Sequence, residues 1–429
     1  MNEASVNEQH VLTIERLGQR GEGVARTDQG NIFVPYTVPG DTISAEVDGD
    51  SARLIGIIKS SPDREAPFCP YYGTCGGCAI QGYREEAYRE WKRALVVDAL
   101  ARAGVDATVD PLIDAHGAGR RRATFHARFD SAGHAMIGFM AARSHDLVAI
   151  DFCPLFAPSL DGAIAAARAM AEELARVRKP LDILVTGTPA GLDIDVRGAG
   201  SLNEKHRQAL IAAAERFDLA RLSNHGRLLI ERRPTQLQVG RALVHLPPGA
   251  FLQATAKGEA TLAELVGQAA NSKRVADLFC GIGTFALRLA ERAEVLALDG
   301  DAAALSALTQ AARAAPGLRT IRTERRDLMR RPLPPEELAA FDAVIFDPPR
   351  AGAEAQAHGL AKSHVPLVIA VSCNAQTFAR DAAILIAPGY KAERITPVDQ
   401  FRQSPHVEIV GIFRRAAAKG RARRSLLSG

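Results

Sequence analysis

The sequence predicts a multidomain chain: a small N-terminal β-barrel of OB-like type, a central α+β region carrying a cysteine cluster, and a C-terminal α/β domain with a doubly wound sheet. Three observations lead there. Short apolar runs broken by glycine fill residues 10–60, and three cysteines crowd residues 69–78 with a fourth at 153. From residue 251 onward, strand-like runs alternate with Ala-rich helical ones. Domain boundaries are expected at 1–60, 61–250 and 251–429.

In the first segment, VLTIERL, GVAR, NIFVPYTV, DTISAEV and RLIGIIK are separated by Gly18, Gly21, Gly23, Gly30, Pro39-Gly40 and Asp48-Gly49. Regular turn signals between short alternating runs argue for a barrel, a shape that often holds oligonucleotides. The segment carries nine acids against five bases, which weakens nucleic-acid binding there. SPDREAPF reads as a linker. A helix follows from about Tyr83 to Gly104, with Trp91, Leu95 and Leu100 as its buried stripe. Residues 105–250 alternate strands (TFHARFD, AMIGFM, DILVTG, LDIDVRG) with helices over 160–177 and 203–216. Beyond them VADLF, EVLALD, FDAVIFD, VPLVIAVSC and HVEIVGIF, interleaved with helices, build a sheet covered on both faces.

The composition, 47% hydrophobic and 24% charged, excludes wholesale disorder. No apolar stretch reaches the roughly 18–20 residues of a membrane span. Six cysteines in 429 residues are too few for a disulfide scaffold, so ligation or chemistry in a reducing compartment is expected. The expectation is a cytoplasmic monomer without membrane contact. Net charge is only +4, but the last twenty residues hold six bases and no acid, either a solvated end or a nucleic-acid contact.

Asp277-Leu278-Phe279-Cys280-Gly281-Ile282-Gly283-Thr284-Phe285 follows a short strand and opens a helix. Gly281 and Gly283 would let the backbone approach a ligand, and Asp299 ends the next strand, suitably placed for a ribose. Ala286 stands where a dinucleotide site has its third glycine, so S-adenosylmethionine fits better than a pyrophosphate cofactor. Asp327, at a further strand end, is a candidate for the adenine amine. Asp347-Pro348-Pro349-Arg350-Ala351-Gly352 makes a stiff turn that fixes a carboxylate beside a planar substrate.

Together DLFCGIGTF, DPPRAG, VSCNAQTFARD and HVEI, in this order, resemble the RNA uracil methyltransferases that make 5-methyluridine. The likeness spans nearly the whole chain: residues 10–60 resemble a TRAM domain, and the cysteine cluster resembles the ribosomal-RNA branch. The resemblance implies a class I methyltransferase fold and transfer to uracil carbon 5. That carbon is a poor nucleophile, so a thiolate must first add to carbon 6 and a base must later remove the carbon-5 proton. Cys373 is implied as nucleophile and Glu408 as base, with His406 beside it. Gln253 is implied to hold the cofactor together with Phe279, Gly281, Thr284, Asp299, Asp327 and Asp347. Phe251 would stack on the flipped uracil, with Arg350 also on the substrate. Cys280 is expected to pack or to line the cofactor pocket.

Cys69, Cys75 and Cys78 (C-x5-C-G-G-C) with Cys153 suit zinc or an iron–sulfur group, and the spacing alone leaves both open. The resemblance favours a 4Fe-4S cluster. Ala375, Thr255 and Arg402 depart from the family's usual proline, asparagine and proline, which bears on the RNA target. The expected partner is RNA, 23S ribosomal RNA first and transfer RNA second. An iron–sulfur dinucleotide oxidoreductase is the alternative class.

Overall fold

The computed structural model describes residues 9–415. In the first sheet, Gln9–Thr13 pairs with Thr42–Asp48 at one edge, while the same chain continues into Arg16–Leu17, which pairs with Gly23–Thr27 at the other edge. One strand therefore serves both ends, and the six-stranded sheet closes on itself around Leu12, Ile14, Ala25, Ile32, Val34, Ile43 and Ala45. Closure removes the exposed edges that a small sheet would otherwise present. The expected linker at 61–68 is pinned rather than free. Arg64 donates from Nε to the buried Asp41 (3.0 Å) and reaches the Tyr36 carbonyl (3.1 Å).

Glu85–Arg102 forms a helix whose Trp91 Nε1 donates to the Gly18 carbonyl (3.2 Å). Leu17, Val38, Ile80, Tyr88, Trp91 and Leu95 pack together there, gluing barrel to helix. A seven-stranded sheet follows, with spatial order Leu147–Ala149, Ala135–Met140, Arg122–Phe129, Leu181–Thr188, Gly191–Arg197, Arg221–Asn224, Arg227–Glu231. The helices Ala163–Glu173 and Glu204–Arg216 contribute Ala166, Ala167, Met170, Leu210 and Ala213 to its core.

The last sheet has eight strands in the order Ile321–Arg325, Glu294–Asp299, Arg274–Leu278, Ala343–Phe346, Leu367–Ser372, Glu408–Arg415, Tyr390–Asp399, Ile113–Asp114. Only Glu408–Arg415 runs against its neighbours. Leu367–Ser372 is buried at every position, as a central strand covered on both faces must be. Strand order reverses beside Arg274–Leu278, which opens a crevice at the carboxyl ends.

Packing departs from the expected boundary at residue 250. The short strand Ile113–Asp114 joins this last sheet, the helix Glu85–Arg102 packs on the helix Ala375–Ile386, and the hairpin Gln236–His245 packs on the helix Ala302–Ala314. These pieces lie early in sequence, yet the C-terminal layer covers much of their apolar surface; the helix Glu85–Arg102 gives Val96, Ala99 and Leu100 to it while Tyr88, Trp91 and Leu95 face the barrel. Of the basic end, Arg414 and Arg415 belong to the final strand: Arg414 pairs with Glu393 (2.7 Å) and Arg415 lies 4.5 Å from the Tyr390 ring centre. Lys419, Arg421, Arg423 and Arg424 lie outside the described residues.

Candidate active site

A cavity of about 700 Å³ opens at the carboxyl ends of the last sheet's strands. Its lining includes Phe251, Gln253, Phe279, Gly281, Thr284, Asp299, Asp327, Asp347, Arg350, Cys373 and Glu408, so the sequence-predicted cofactor, substrate and reacting residues come together. Cys280 also lines it and is buried. Each strand delivers its residue at or just past its end: Phe279 after Arg274–Leu278, Asp347 after Ala343–Phe346, Cys373 after Leu367–Ser372.

The glycine loop is bent by Phe279, whose φ of 61° is uncommon for a bulky side chain, and by Gly281 at 54°. Gly281 leaves open space where a Cβ would stand, and its N–H donates to Asp299 (2.8 Å). Gly283 has a different reason. Its φ of 94° lies in the left-handed region that favours glycine, and a Cβ there would meet Leu308 Cδ1 at 2.4 Å and Leu287 at 3.2 Å, so turn conformation and helix packing account for it without a ligand. This corrects the expectation for that glycine. Asp327 accepts from the Met329 N–H (3.1 Å).

In the same cavity, the buried Glu408 and the half-buried Asp347 lie near Cys373. Burial first, then each other's proximity in the case of Glu408, holds both carboxyls above the ordinary carboxylate range. Burial also pushes the Cys373 thiol up to about 11, helped by Glu408 and Asp347 and opposed by the Arg350 guanidinium. His406 is pushed down to about 4 by burial and by Arg350, Lys92 and Arg120. It is therefore a neutral ring, and Arg350 Nη2 stands 3.2 Å from its Nε2. Phe251 is 72% exposed at the mouth, with the Arg122 guanidinium 5.7 Å from its ring centre.

Three residues here were not singled out from sequence. Phe401 lines the cavity. Gln400, fully buried, bonds both Gln253 and Glu408. Lys92, on the helix Glu85–Arg102, donates to Asp399 (2.9 Å), to the Phe401 carbonyl (3.3 Å) and to the His406 carbonyl, so it ties together both stems of the loop 400–407. A lysine on a buried helical stripe is itself a signal, since an ammonium is buried only with partners.

The model of the tRNA (Uracil-5-)-methyltransferase family matches residues 236–416. An uncharacterised RNA methyltransferase of Brucella suis biovar 1 (strain 1330) is 46% identical over 403 residues, covering 94% of this chain and 97% of the relative. The 23S rRNA (uracil(1939)-C(5))-methyltransferase RlmD of Chromohalobacter salexigens is 35% identical over 433 residues, covering 96% and 90%. The chain belongs to the RNA uracil-5-methyltransferase family. Its fold is also that of the Pyrococcus abyssi tRNA (uracil-54, C5)-methyltransferase solved with S-adenosyl-L-homocysteine: TM-score 0.73 at 22% identity, covering 94% of this chain and 99% of that one. Cys373 and Glu408 line the same cavity as the glycine loop residues Phe279, Gly281 and Thr284.

Cys69, Cys75, Cys78 and Cys153 line a second, smaller cavity of about 110 Å³, with Arg120, Tyr71 and Phe152. Burial raises the thiols of Cys75, Cys78 (to about 11) and Cys153, and neighbouring cysteines raise them further. Among the described residues no three His, Cys, Asp or Glu side chains form a group that could hold a metal ion. Also among them, no helix is long and apolar enough to cross a membrane.

Proposed function

We propose that this protein methylates carbon 5 of a uridine in 23S ribosomal RNA through a transient covalent bond from Cys373 to carbon 6. The observation that carries the reading is the shared cavity of Cys373, Glu408 and Asp347, facing the glycine loop and opened by exposed Phe251. Gly281, Asp299 and Asp327 would hold the nucleoside of S-adenosylmethionine, and Phe279, Thr284 and Gln253 would enclose it. When bound, that cofactor supplies an electrophilic methyl group to carbon 5.

The resting thiol holds its proton, because burial and two carboxyls oppose the thiolate. Asp347 takes that proton as Sγ bonds to carbon 6, and the ring's electron pair moves onto oxygen 4. Arg350, beside Cys373, favours the anionic sulfur. After methylation Glu408 accepts the carbon-5 proton, the carbon 5–carbon 6 double bond re-forms, and the sulfur leaves and recovers its proton from Asp347. The proton finally released is the one from carbon 5.

The target assignment rests on the 35% identical relative named for 23S rRNA, and the closed barrel from Gln9 to Lys59, which would serve as a TRAM domain, supports it. The four cysteines around one cavity support a 4Fe-4S cluster. Held by Cys69, Cys75, Cys78 and Cys153, a cluster would tie the loops at 69–78 and 153 together.

Glu408→Gln tests the chemistry. The amide cannot accept the proton, so a methylated RNA–protein adduct should accumulate on a denaturing gel and vanish in the Cys373→Ala, Glu408→Gln double variant. Normal turnover by Glu408→Gln refutes the role of the base. Mass mapping of 5-methyluridine in RNA from a deletion strain tests the target, with loss from transfer RNA as the contrary result.

A further inference from the structure

Gln253 and Gln400 form a continuous hydrogen-bonded chain between the half-buried Asp347 and the buried Glu408. Gln253 Nε2 donates to Asp347 Oδ2 (3.1 Å), and its Oε1 accepts from Gln400 Nε2 (2.7 Å). Gln400 Nε2 also donates to Glu408 Oε1 (3.0 Å), while its Oε1 faces the Thr255 N–H (3.4 Å). The direction of the chain follows from that last contact. A backbone N–H can only donate, so the Gln400 oxygen turns toward Thr255 and its nitrogen toward Gln253 and Glu408. Gln253 must then present its oxygen to Gln400 and its nitrogen to Asp347. One backbone N–H thus makes both carboxyls acceptors.

The fold makes room for this arrangement. A Cβ at Gly258, in the first turn of the helix Ala256–Ala269, would stand 2.5 Å from Gln400 Oε1 and 2.9 Å from its Cβ. The consequence falls on Glu408. Its Oε1 is fixed by Gln400, whereas its Oε2 is buried without a partner in the cavity that holds Cys373. We infer that Gln400 is a positioning residue that pins Glu408 Oε1, leaves Oε2 as the proton-accepting oxygen, and links the orientation of Glu408 to that of Gln253 and Asp347. The inference rests on the reading of Glu408 as the base.

The groups facing Glu408 set the sign of the effect. Asp347 opposes its ionisation, as burial does, while the Gln400 amide, Arg350 and Lys92 favour it; Lys92 is itself paired with Asp399. Cys373 and neutral His406 complete the surroundings. Removing the amide donor leaves a buried carboxylate less stabilised, so Glu408 ionises at higher pH. A base must be ionised, so the acid limb of the kcat profile moves upward.

The test is single-turnover release of free methylated RNA from the protein adduct, followed across pH with the full-length protein carrying Gln400→Met, which keeps the volume and removes both amide groups. The limb should rise by about one pH unit, with kcat at neutral pH falling about 10- to 100-fold, as for other partners that orient a reacting group. KM for RNA should hold. Gln400→Glu, the same size, places a third acid beside the pair and should move the limb further; it carries the test should Gln400→Met not fold. A folded Gln400→Met or Gln400→Glu enzyme with the wild-type limb overturns the inference. Glu408→Gln in the same assay separates the two levels: if it stalls as an adduct while the Gln400 variants keep the wild-type limb, only the inference fails. If it turns over normally, the reading of Glu408 fails first.

Discussion

The cavity around Cys373 and the cavity around Cys69, Cys75, Cys78 and Cys153 lie on one chain but are made by different means. The first is assembled by a mostly parallel sheet. Its polar residues sit at strand ends, where topology opens a crevice whatever the side chains are. The second is assembled by two loops some seventy residues apart in sequence, held by turns such as Tyr72 N–H to the Cys69 carbonyl and Phe156 N–H to the Cys153 carbonyl. Nothing in sheet geometry demands that those loops meet. The difference teaches that the first site should survive loss of its reacting groups with its shape intact, whereas the second depends on what its cysteines hold. The two also touch: the Ala79 and Ile80 N–H groups both donate to the Gln403 carbonyl (2.8 and 3.3 Å), on the loop that carries Phe401 and His406.

The largest expected effect comes from breaking the second cavity. Cys153→Ser should remove the iron and sulfide from anaerobically purified protein, from roughly four of each per chain to a trace. If the sheet-built cavity is independent, calorimetry should find S-adenosylhomocysteine binding nearly unchanged. Colourless wild-type protein carrying one zinc would overturn the cluster itself. Binding lost together with the iron would show that the first cavity needs the second, through the Gln403 contacts.

The same contrast decides what could be read from sequence. Asp299, Asp347 and Cys373 were legible because a residue at, or one step past, the end of a strand has a place in the fold before its neighbours are known. The cysteines were legible as a spacing, which does not say whether four thiols converge on one ion or surround a larger group. Gln400 and Lys92 escaped for another reason. Each is a polar residue whose partner lies far off in sequence, Gln253 and Thr255 for one, Asp399 for the other, and no local pattern announces such a pair. Gly283 shows the reverse case, a motif glycine accounted for by its φ of 94° and the neighbouring Leu308 without a ligand. The boundary at 250 missed because apolar faces at 85–102 and 236–245 look alike whichever layer covers them.

A smaller effect is expected where the two cavities meet. Lys92 is completely buried and fills its three donor positions with Asp399, Phe401 and His406. Lys92→Met keeps the stem and removes the charge, leaving Asp399 ionised in the interior with only Tyr88 Oη (2.7 Å) and the Phe401 N–H (3.0 Å) as donors. Breaking a buried pair from one side costs about 3–5 kcal/mol, and chemical denaturation should report a loss of that order. The double variant Lys92→Met, Asp399→Leu should recover part of it. A single variant as stable as wild type would mean the loop is held by the sheet alone, and the interface between the cavities would be energetically silent.

The smallest effect is expected at the mouth of the first cavity, where shape matters and chemistry does not. Phe251 is largely exposed, follows the tight turn at Gly249 (φ 69°), and has Arg122 near its ring. An exposed aromatic beside a cation has little to do for stability and much to offer a flipped base, one face to stack on and a positive edge for the adjoining phosphate. Stacking is worth about 1–3 kcal/mol per base. Phe251→Ala should therefore raise KM for RNA by roughly 10- to 100-fold while single-turnover rates at saturating RNA stay near wild type. Phe251→Trp should restore most of the affinity. The Glu408→Gln adduct gives a second reading of the same point, because once Cys373 is bonded to carbon 6 the base no longer needs to be held by stacking. Adduct yield at saturating RNA should then be insensitive to Phe251→Ala. If kcat falls while KM holds, Phe251 acts on the geometry of attack, and the mouth of the cavity belongs to the reacting assembly and not to substrate capture.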